Sequence, residues 1–336
     1  MALHAAQVTR RCVHQRGSIS RCARRPYVVT PAASNPLGVH ALVLTGSIAD
    51  RVECARAATI AAGAGYTIVE VPLLDPWKVD GADTRAALSA AGLRATTSLG
   101  LGPGRDINSE DEESVRGGRE LLMQALSVSS ALGATHMCGV LYSALAKYPG
   151  PPSALARANA RRVIADLARA AQPLGITICL EVVNRYEANL INTAQQHPLE
   201  FRYETNLINT AQQALDFIDG LGEGCDNVKV HLDTYHMNIE EESFSGPVVA
   251  CGDRLGYVHI GESNRGYLGR GTVDFDEVFS ALKQIGYTGP ITFESFSSQV
   301  VHPQLSNTLC VWRDLWSDSE DIAAHAAKYM RGKLAA

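Results

Sequence analysis

The stretch Lys229–Asn238 reads K-V-H-L-D-T-Y-H-M-N and decides the fold of this chain. Its first half alternates, because Val230 and Leu232 share one phase of a strand while His231 and Asp233 share the other. In a closed parallel barrel the outer face of each strand meets helices and must be apolar, whereas the inner face can carry polar groups near its rim. The stretch therefore predicts a barrel strand with Asp233 at its end.

Three other segments place one polar side chain in the inward phase of a strand in the same way. They are Ile176–Asn184 with Glu181, Tyr257–Glu262 with His259, and Ile291–Phe296 with Glu294. Because parallel barrel strands end at one rim, we expect these side chains and Asp233 to converge. Three carboxylates and one imidazole are a hard, oxygen-rich set that suits Mn2+, Mg2+ or Co2+. The pattern therefore predicts a metal site.

Strand-like runs alternate with helical patterns along the rest of the chain. The earlier strands are predicted at Val39–Leu44, Tyr66–Leu73, Arg94–Leu101 and Thr135–Tyr142. The predicted helices include one from Ser109 with a capping box at Glu112, one at Glu241–Arg254 and one at Phe275–Ile285. Eight strand–helix units, repeating every 30–40 residues or so, predict an α/β protein with a (β/α)8 TIM barrel.

Composition is that of a soluble globular enzyme. The chain has 336 residues, 46% of them hydrophobic and 19% charged, with a formal net charge of −5. Nothing in that charge favours a nucleic-acid partner, which normally shows as a basic excess. No run approaches the roughly 18 apolar residues that a membrane span needs. The eight cysteines include no C-x-x-C pair, which indicates buried free thiols in a reducing compartment.

Residues 1–49 contain no Asp, Glu or Lys but carry six arginines. This Arg-rich, acid-free composition is typical of a transit peptide, so we expect an organellar location, in a chloroplast or mitochondrion. The alternative is a basic amino-terminal tail that has no targeting function, on a cytoplasmic protein. The prediction is that residues 1–34 precede the fold and that residues 35–336 form a single barrel domain.

A tandem copy interrupts the loop after the fifth strand. Arg185–Gln196 recurs as Arg202–Gln213 with one difference, Ala188 against Thr205, at an offset of 17 residues. The duplicated blocks span 185–201 and 202–217. Two copies shorter than one strand–helix unit do not make a solenoid repeat.

The first copy continues directly from the fifth strand, and the second leads into the next helix. We therefore expect Asn209 or Thr210 to cap that helix and the surplus to bulge out around His197–Leu207. On this hypothesis Glu187, and not Glu204, faces the metal.

With these motifs assembled, the chain from about Asn35 to its end resembles the ketose 3-epimerases. This is the D-tagatose 3-epimerase and D-psicose (allulose) 3-epimerase group of the xylose-isomerase-like barrels. The motifs that carry the resemblance are L-E-V-V-N-R-Y-E (Leu180–Glu187), H-L-D-T-Y-H-M-N-I-E-E (His231–Glu241), H-I-G-E-S-N-R (His259–Arg265) and F-E-S-F (Phe293–Phe296). The chain departs from the family pattern at the 17-residue duplication.

The resemblance implies a metal-dependent isomerase acting on a ketose. Its divalent cation, commonly Mn2+, would be held by Glu181, Asp233, His259 and Glu294. Contacts to the sugar hydroxyls would come from Glu187, His236 and Arg265.

Epimerisation at C3 of a ketose such as D-tagatose, D-psicose or D-fructose needs a proton taken from one face of the sugar and returned to the other. A cation on the neighbouring oxygens would stabilise the enediolate formed in between. Two carboxylates on opposite sides of the sugar could each act as acid or base. Glu181 and Glu294, on strands that lie roughly across the barrel from each other, are the expected pair.

Other activities use similar parts. An aldose–ketose isomerase or a hydroxypyruvate isomerase would form the same enediolate. A metallo-phosphoesterase of the apurinic-endonuclease type would need more histidine ligands and a basic face, and the sequence lacks both. A binding protein that has lost catalysis is a further alternative. A homo-oligomer, either a dimer or a tetramer, is expected on general grounds.

Several residues also have a purely structural interpretation. Asp233 could pair with Lys229. Glu70 could orient a metal ligand or pair within the barrel, and His231 could lie behind the ligands or in the core. Glu262 could be a hydrogen-bond acceptor near the site or a solvated side chain.

Overall fold

The computed structural model describes residues 35–146, 148–184, 187–188, 201–202, 205–301, 303–308, 311 and 313–336. Eight parallel strands, numbered here in chain order, span Leu37–His40, Ile68–Pro72, Arg94–Ser98, His136–Gly139, Thr177–Val182, Val228–Asp233, Leu255–Ile260 and Ile291–Phe293. Each strand pairs with its neighbours, and Leu37 of the first lies opposite Ile291 of the eighth. This last pairing closes the barrel and confirms the predicted (β/α)8 fold.

The faces of the sixth strand follow its alternation. Val230 and Leu232 are fully buried members of the main hydrophobic core. His231 instead packs against the rings of Tyr257 and His259 on the next strand, with centroids 5.1 and 4.2 Å away. The apolar side chains of this strand thus belong to the main core, whereas His231, in the polar phase, packs against aromatic rings inside the barrel.

Helices follow the strands. They span Arg51–Ala64, Gly81–Ala90, Glu112–Leu132, Ala154–Ala171, Ala211–Asp219, Thr234–Glu240, Ser245–Cys251, Phe275–Gln284, Pro303–Thr308 and Ser319–Ala335. The predicted capping box at Ser109 is wrong, because Asp111 accepts the first free N–H groups and the helix begins at Glu112. The predicted cap at Thr210 is confirmed, with a capping box to Gln213.

The continuous helix predicted at Glu241–Arg254 is also wrong. Asp233 caps a short helix that already begins at Thr234, and Glu241 ends it in extended backbone. A second short helix then begins at Ser245. Pro247 lacks an N–H group and is tolerated only in the first turn of a helix, so the chain must start a new helix shortly before it.

The described residues of the duplicated loop include contacts of its second copy. Glu187–Ala188 pairs antiparallel with Phe201–Arg202, which brings the two ends of the inserted segment together. Thr205 and Leu207 are both buried, with relative exposures of 0% and 2%. The predicted bulge at His197–Leu207 is therefore too long at its carboxyl end, because its last residues pack into the protein.

Within the part of the chain that the structure describes, no helix combines the length and the apolar character that crossing a membrane requires.

Candidate active site

The four side chains predicted as metal ligands meet at one rim of the barrel. Glu181 lies near the end of the fifth strand, Asp233 ends the sixth, His259 lies near the end of the seventh and Glu294 follows the eighth. Each offers one ligand atom, and these atoms all lie within 4.8 Å of one another. All four side chains are buried. Parallel strands that end together thus produce a compact cluster of three carboxylates and one imidazole.

His259 lies at the centre of this cluster. Its Nδ1 is 3.4 Å from Glu294 Oε1, 3.7 Å from Glu181 Oε1 and 3.9 Å from Asp233 Oδ2. Within the described part of the chain, this buried Nδ1 has no hydrogen-bond partner. A buried nitrogen facing three carboxylate oxygens suits a divalent cation, which would satisfy all four atoms at once.

Asp233 uses its two oxygens differently. Oδ1 accepts the backbone N–H of Tyr235 at 2.7 Å and caps the helix that follows. Oδ2 faces His259. Lys229, the alternative partner for Asp233, instead donates its Nζ to the backbone oxygen of Asp253. The carboxylate is therefore positioned by the helix that it begins.

The same short helix brings His236 to the site. Its Nε2 is 3.8 Å from Asp233 Oδ2 and 3.9 Å from Glu181 Oε1. The backbone N–H of Asn184 donates to its Nδ1 at 3.0 Å, and the Asn184 side-chain nitrogen is 2.8 Å from that same Nδ1. Because Nδ1 is an acceptor, the neutral ring carries its proton on Nε2 and presents an N–H donor to the site.

Asn184 was not identified from the sequence. Its position directly after the fifth strand, in the motif that carries Glu181, was the available signal.

Arg265 reaches the cluster from the loop after the seventh strand. Its Nη1 is 2.6 Å from Glu294 Oε2 and 3.2 Å from Asp233 Oδ2. The guanidinium lies over the ring of Tyr235, 3.7 Å from the centroid, which is a close cation–π contact. Its backbone φ of 58° is in the left-handed region, a strained conformation for a residue other than glycine.

Two buried polar groups stabilise this strained loop. Ser295 donates its hydroxyl to the backbone oxygen of Arg265 and accepts the indole N–H of Trp316 at 2.7 Å. Glu262 is fully buried and accepts backbone N–H groups from Ser263 and Gly269, both close to Arg265 in sequence. Glu262 is therefore a hydrogen-bond acceptor that holds the loop, and it is not a solvated side chain.

Burial and neighbouring charges shift the carboxyl groups in different directions. Burial raises the pKa of Asp233 to about 7, although the Arg265 guanidinium opposes the shift. Burial also raises the pKa of Glu181. At Glu294, burial would raise the pKa, but the charges of His259 and Arg265 outweigh it and hold the pKa below its usual value.

The histidines shift in opposite directions. Burial alone would lower the pKa of His259, but Glu70 and Glu294 outweigh burial and raise it well above the usual value. Burial, together with the charge of Arg265, lowers the pKa of His236 well below normal. His236 is therefore neutral near pH 7, whereas a cation at His259 must displace a proton.

Two other groupings of possible ligands share residues with this cluster or border it. One contains His40, Glu70 and Glu294. The backbone N–H of Leu42 donates to Nδ1 of His40, so the Nε2 that faces Glu70 carries the proton and has no lone pair for a cation. The other grouping contains His231, whose Nδ1 is 3.9 Å from Glu181 Oε2.

Some predicted residues lie outside what the structure describes. These are the side chain of Glu187 and the whole of Glu204.

Comparison with known proteins gives a consistent result. Residues 58–333 match the model of a family described as xylose isomerase-like TIM barrel. An L-ribulose 3-epimerase from Methylomonas sp. (strain DH-1) is 50% identical over 294 residues, which cover 88% of this chain and 96% of that protein. A ketose 3-epimerase from Arthrobacter globiformis is 46% identical over 300 residues, covering 89% and 97%.

A solved structure shares the fold along nearly its whole length. It is a D-allulose 3-epimerase from Methylomonas sp. in complex with D-allulose, with 49% sequence identity and a TM-score of 0.81. The match covers 89% of this chain and 97% of that one.

Proposed function

The chain belongs to the ketose 3-epimerases of the xylose isomerase-like TIM barrel family, and from this premise we propose that it inverts C3 of a free ketose in a metal-dependent reaction. It is an enzyme of the isomerase class. The observation that carries the proposal is the convergence of Glu181, Asp233, His259 and Glu294 at one barrel rim.

These four residues would hold the cation. Their donor set of carboxylates and an imidazole supports Mn2+ first, with Co2+ or Mg2+ as alternatives. A bound divalent cation would polarise the sugar carbonyl and reduce the free-energy cost of the negative charge that develops when C3 loses its proton.

Glu181 and Glu294 are the proposed proton carriers. They come from the fifth and eighth strands, and each has an oxygen within 4 Å of His259 Nδ1. One carboxylate would take the C3 proton from one face of the sugar, and the other would deliver a proton to the opposite face. The roles exchange when the reaction runs in reverse, so both epimers are substrates.

His236 and Arg265 would orient the sugar. The Nε2–H of His236 and the guanidinium of Arg265 are neighbouring hydrogen-bond donors beside the cluster, with Nη2 3.4 Å from Nε2. Sugar oxygens are acceptors that suit both. The predicted contact from Glu187 stays a prediction.

The relatives support a free ketose as the substrate class. Their names specify L-ribulose and D-allulose, a ketopentose and a ketohexose. We propose that this chain also acts on unphosphorylated ketoses of five or six carbons, including D-psicose, D-tagatose or D-fructose.

Solvent exchange tests this proposal directly. The full chain with added Mn2+ is incubated in D2O with a panel of free ketoses, and NMR locates the incorporated deuterium. We expect deuterium at C3 together with the C3 epimer of each substrate. Deuterium at C1 with formation of an aldose would instead identify an aldose–ketose isomerase, and no exchange in any ketose would refute the proposal.

A further inference from the structure

Glu70 is a buried carboxylate that the proposed reaction does not use. It lies in the second strand, within I-V-E-V-P, and its side chain is fully buried inside the barrel. Its Oε2 is 2.8 Å from Nε2 of His259 on the seventh strand. The first and eighth strands lie between these two strands, so the contact crosses the barrel interior.

The contact determines which nitrogen of His259 faces the site. Nε2–H donates to Glu70, and this leaves Nδ1 directed at Glu181, Asp233 and Glu294. A histidine that donates one ring N–H to a carboxylate has a fixed orientation and a more basic second nitrogen.

We propose that Glu70 is a positioning residue of this site, which accepts the Nε2–H of His259 and so aims its Nδ1 lone pair at the bound cation. The inference rests on the proposed function because it assumes a cation among the four ligands. Loss of such a partner typically weakens metal binding about 10–100-fold.

A second imidazole lies near the other oxygen of Glu70. The Leu42 backbone N–H donates to Nδ1 of His40 at 3.2 Å, so the proton of His40 is on Nε2. This Nε2 is 3.3 Å from the hydroxyl oxygen of Ser98 and 3.6 Å from Oε1 of Glu70. Within the described residues Oε1 has no hydrogen-bond partner, so the bond from His259 to Oε2 is the contact on which the proposed role depends.

The alternative is that Glu70 only contributes to the packing of the barrel interior, and Thr96 provides the matched control. Thr96 is the register partner of Glu70 on the third strand and is also fully buried. Its hydroxyl bonds Tyr257 at 2.7 Å, and Tyr257 also bonds Thr292. Thr96→Val therefore removes one interior hydrogen bond at the same depth without touching a predicted ligand.

The experiment measures the Mn2+ affinity of the full chain by titration, with free Mn2+ followed by electron paramagnetic resonance. We expect Glu70→Leu to weaken Mn2+ binding by about 10–100-fold. Glu70→Gln should show a smaller loss, because its amide oxygen still accepts the N–H. Thr96→Val should keep wild-type affinity. Saturating Mn2+ should restore turnover in Glu70→Gln, which a purely structural defect would not allow.

Wild-type Mn2+ affinity in Glu70→Leu would overturn the inference. An equal loss of Mn2+ affinity in Thr96→Val would overturn it as well. If Glu70→Leu does not fold, Glu70→Gln decides: Mn2+ binding weaker than in both the wild type and Thr96→Val supports the positioning role, and wild-type affinity overturns it.

The two proposals fail separately. A wild-type chain that binds Mn2+ but exchanges no C3 proton would refute the function and leave Glu70 to be judged by affinity. An active wild type whose Glu70 variants bind Mn2+ normally would refute the Glu70 role alone. A wild type that binds no divalent cation would refute both.

Discussion

At the scale of single residues, Asp233 combines a structural and a chemical task. Asp233→Asn should keep the helix cap, because Asn and Asp cap equally well, but should lose the charge that faces His259. We expect near-native thermal stability of the metal-free chain with clearly weakened Mn2+ binding. Asp233→Ala should in addition lose about 1 kcal/mol of unfolding free energy. Calorimetry and Mn2+ titration of both variants check this. Wild-type Mn2+ affinity in Asp233→Asn would show that Asp233 is not a ligand.

Glu181 and Glu294 allow a test of the two-carboxylate scheme. Glu181→Gln and Glu294→Gln should each lower deuterium incorporation at C3 by roughly 10²–10⁴-fold or more, because each variant loses one proton carrier. Both residues are also predicted ligands, so exchange is measured at Mn2+ concentrations where binding is demonstrated. Wild-type exchange in either metal-loaded variant would rule out the scheme.

The acidity of the site predicts how metal binding depends on pH. Burial raises the pKa of Asp233 to about 7, and the pKa of His259 is raised as well. A cation must displace these protons, so Mn2+ affinity should increase steeply as the pH rises through about 7. Titrations between pH 5 and 8 measure this, and an affinity that is flat over that range would contradict it.

The same shifts predict the stability of the metal-free chain. Between the ordinary pKa of an aspartate and about 7, Asp233 holds more protons in the folded chain than in the unfolded one. The contribution of Asp233 to the free energy of unfolding should therefore fall as the pH rises through this window. His259 acts in the same direction, since its raised pKa favours folding most at low pH. The lowered pKa of His236 acts in the opposite direction, so the effect of Asp233 is isolated by comparison with Asp233→Asn. Denaturant titrations without metal should show the wild type losing stability relative to Asp233→Asn as the pH rises, and saturating Mn2+ should oppose this loss.

At the scale of elements, the duplicated loop is the feature most specific to this chain. The Thr205 hydroxyl is hydrogen-bonded to the Ser143 hydroxyl at 2.7 Å. The Tyr142 hydroxyl is within hydrogen-bond distance of the backbone oxygens of both Ile208 and Glu181, and so connects the second copy to the fifth strand. Removal of 185–201 should therefore keep the barrel and its activity. It should stabilise the fold by on the order of 1 kcal/mol, because loop-closure entropy grows slowly with length. Chemical unfolding and the C3 exchange assay check this.

The deletion cannot identify which glutamate faces the metal. Removing 185–201 or 188–204 produces the same sequence, N-R-Y-E-T-N, in which one glutamate fills both roles. Point variants of the intact chain distinguish the copies. Glu187→Gln should raise KM for the ketose, whereas Glu204→Gln should leave it unchanged. The opposite result would assign the role to the second copy.

The strand pattern alone was sufficient to predict the barrel and the convergence of Glu181, Asp233 and Glu294 on His259. Alternation has a period of two, so it identifies the inward side chains without any knowledge of their partners. The boundaries were less predictable, as the early start of the helix at Thr234 shows. Its cap comes from the same Asp233 that faces the site, and a sequence motif does not reveal that double use.

Contacts between distant strands could not be predicted. From the sequence, Glu70 could either orient a ligand or pair within the barrel. Its partner His259 lies 189 residues away along the chain, so no local pattern distinguishes these two roles. Asn184 and Ser295 act through His236 and Arg265, and only the folded chain brings these groups together. Thr205 and Leu207 were expected in a bulge because nothing local showed that they are buried.

At the scale of the whole molecule, Asn35 is the first residue that the structure describes, and it is held by the barrel. Its side chain donates to the backbone oxygens of Tyr287 and Gly289 at 2.9 and 3.0 Å, and the first strand begins at Leu37. A chain that starts at Ser34 should therefore keep the wild-type melting temperature and C3 exchange. A further truncation to Leu37 removes these two hydrogen bonds and should lower stability by roughly 1–3 kcal/mol.

Residues 1–34 have a separate predicted role as an organellar address. If so, fusion of this segment to a fluorescent protein should direct it into a chloroplast or mitochondrion, and the fused segment should be cleaved there. Replacement of Arg10, Arg11, Arg16 and Arg21 by Gln is the matched control, because it keeps the length but removes positive charge. Diffuse cytoplasmic fluorescence of the unmodified fusion would refute the address. Loss of folding in the chain that starts at Ser34 would instead show that the segment is structural, since an address can be removed without effect on the barrel.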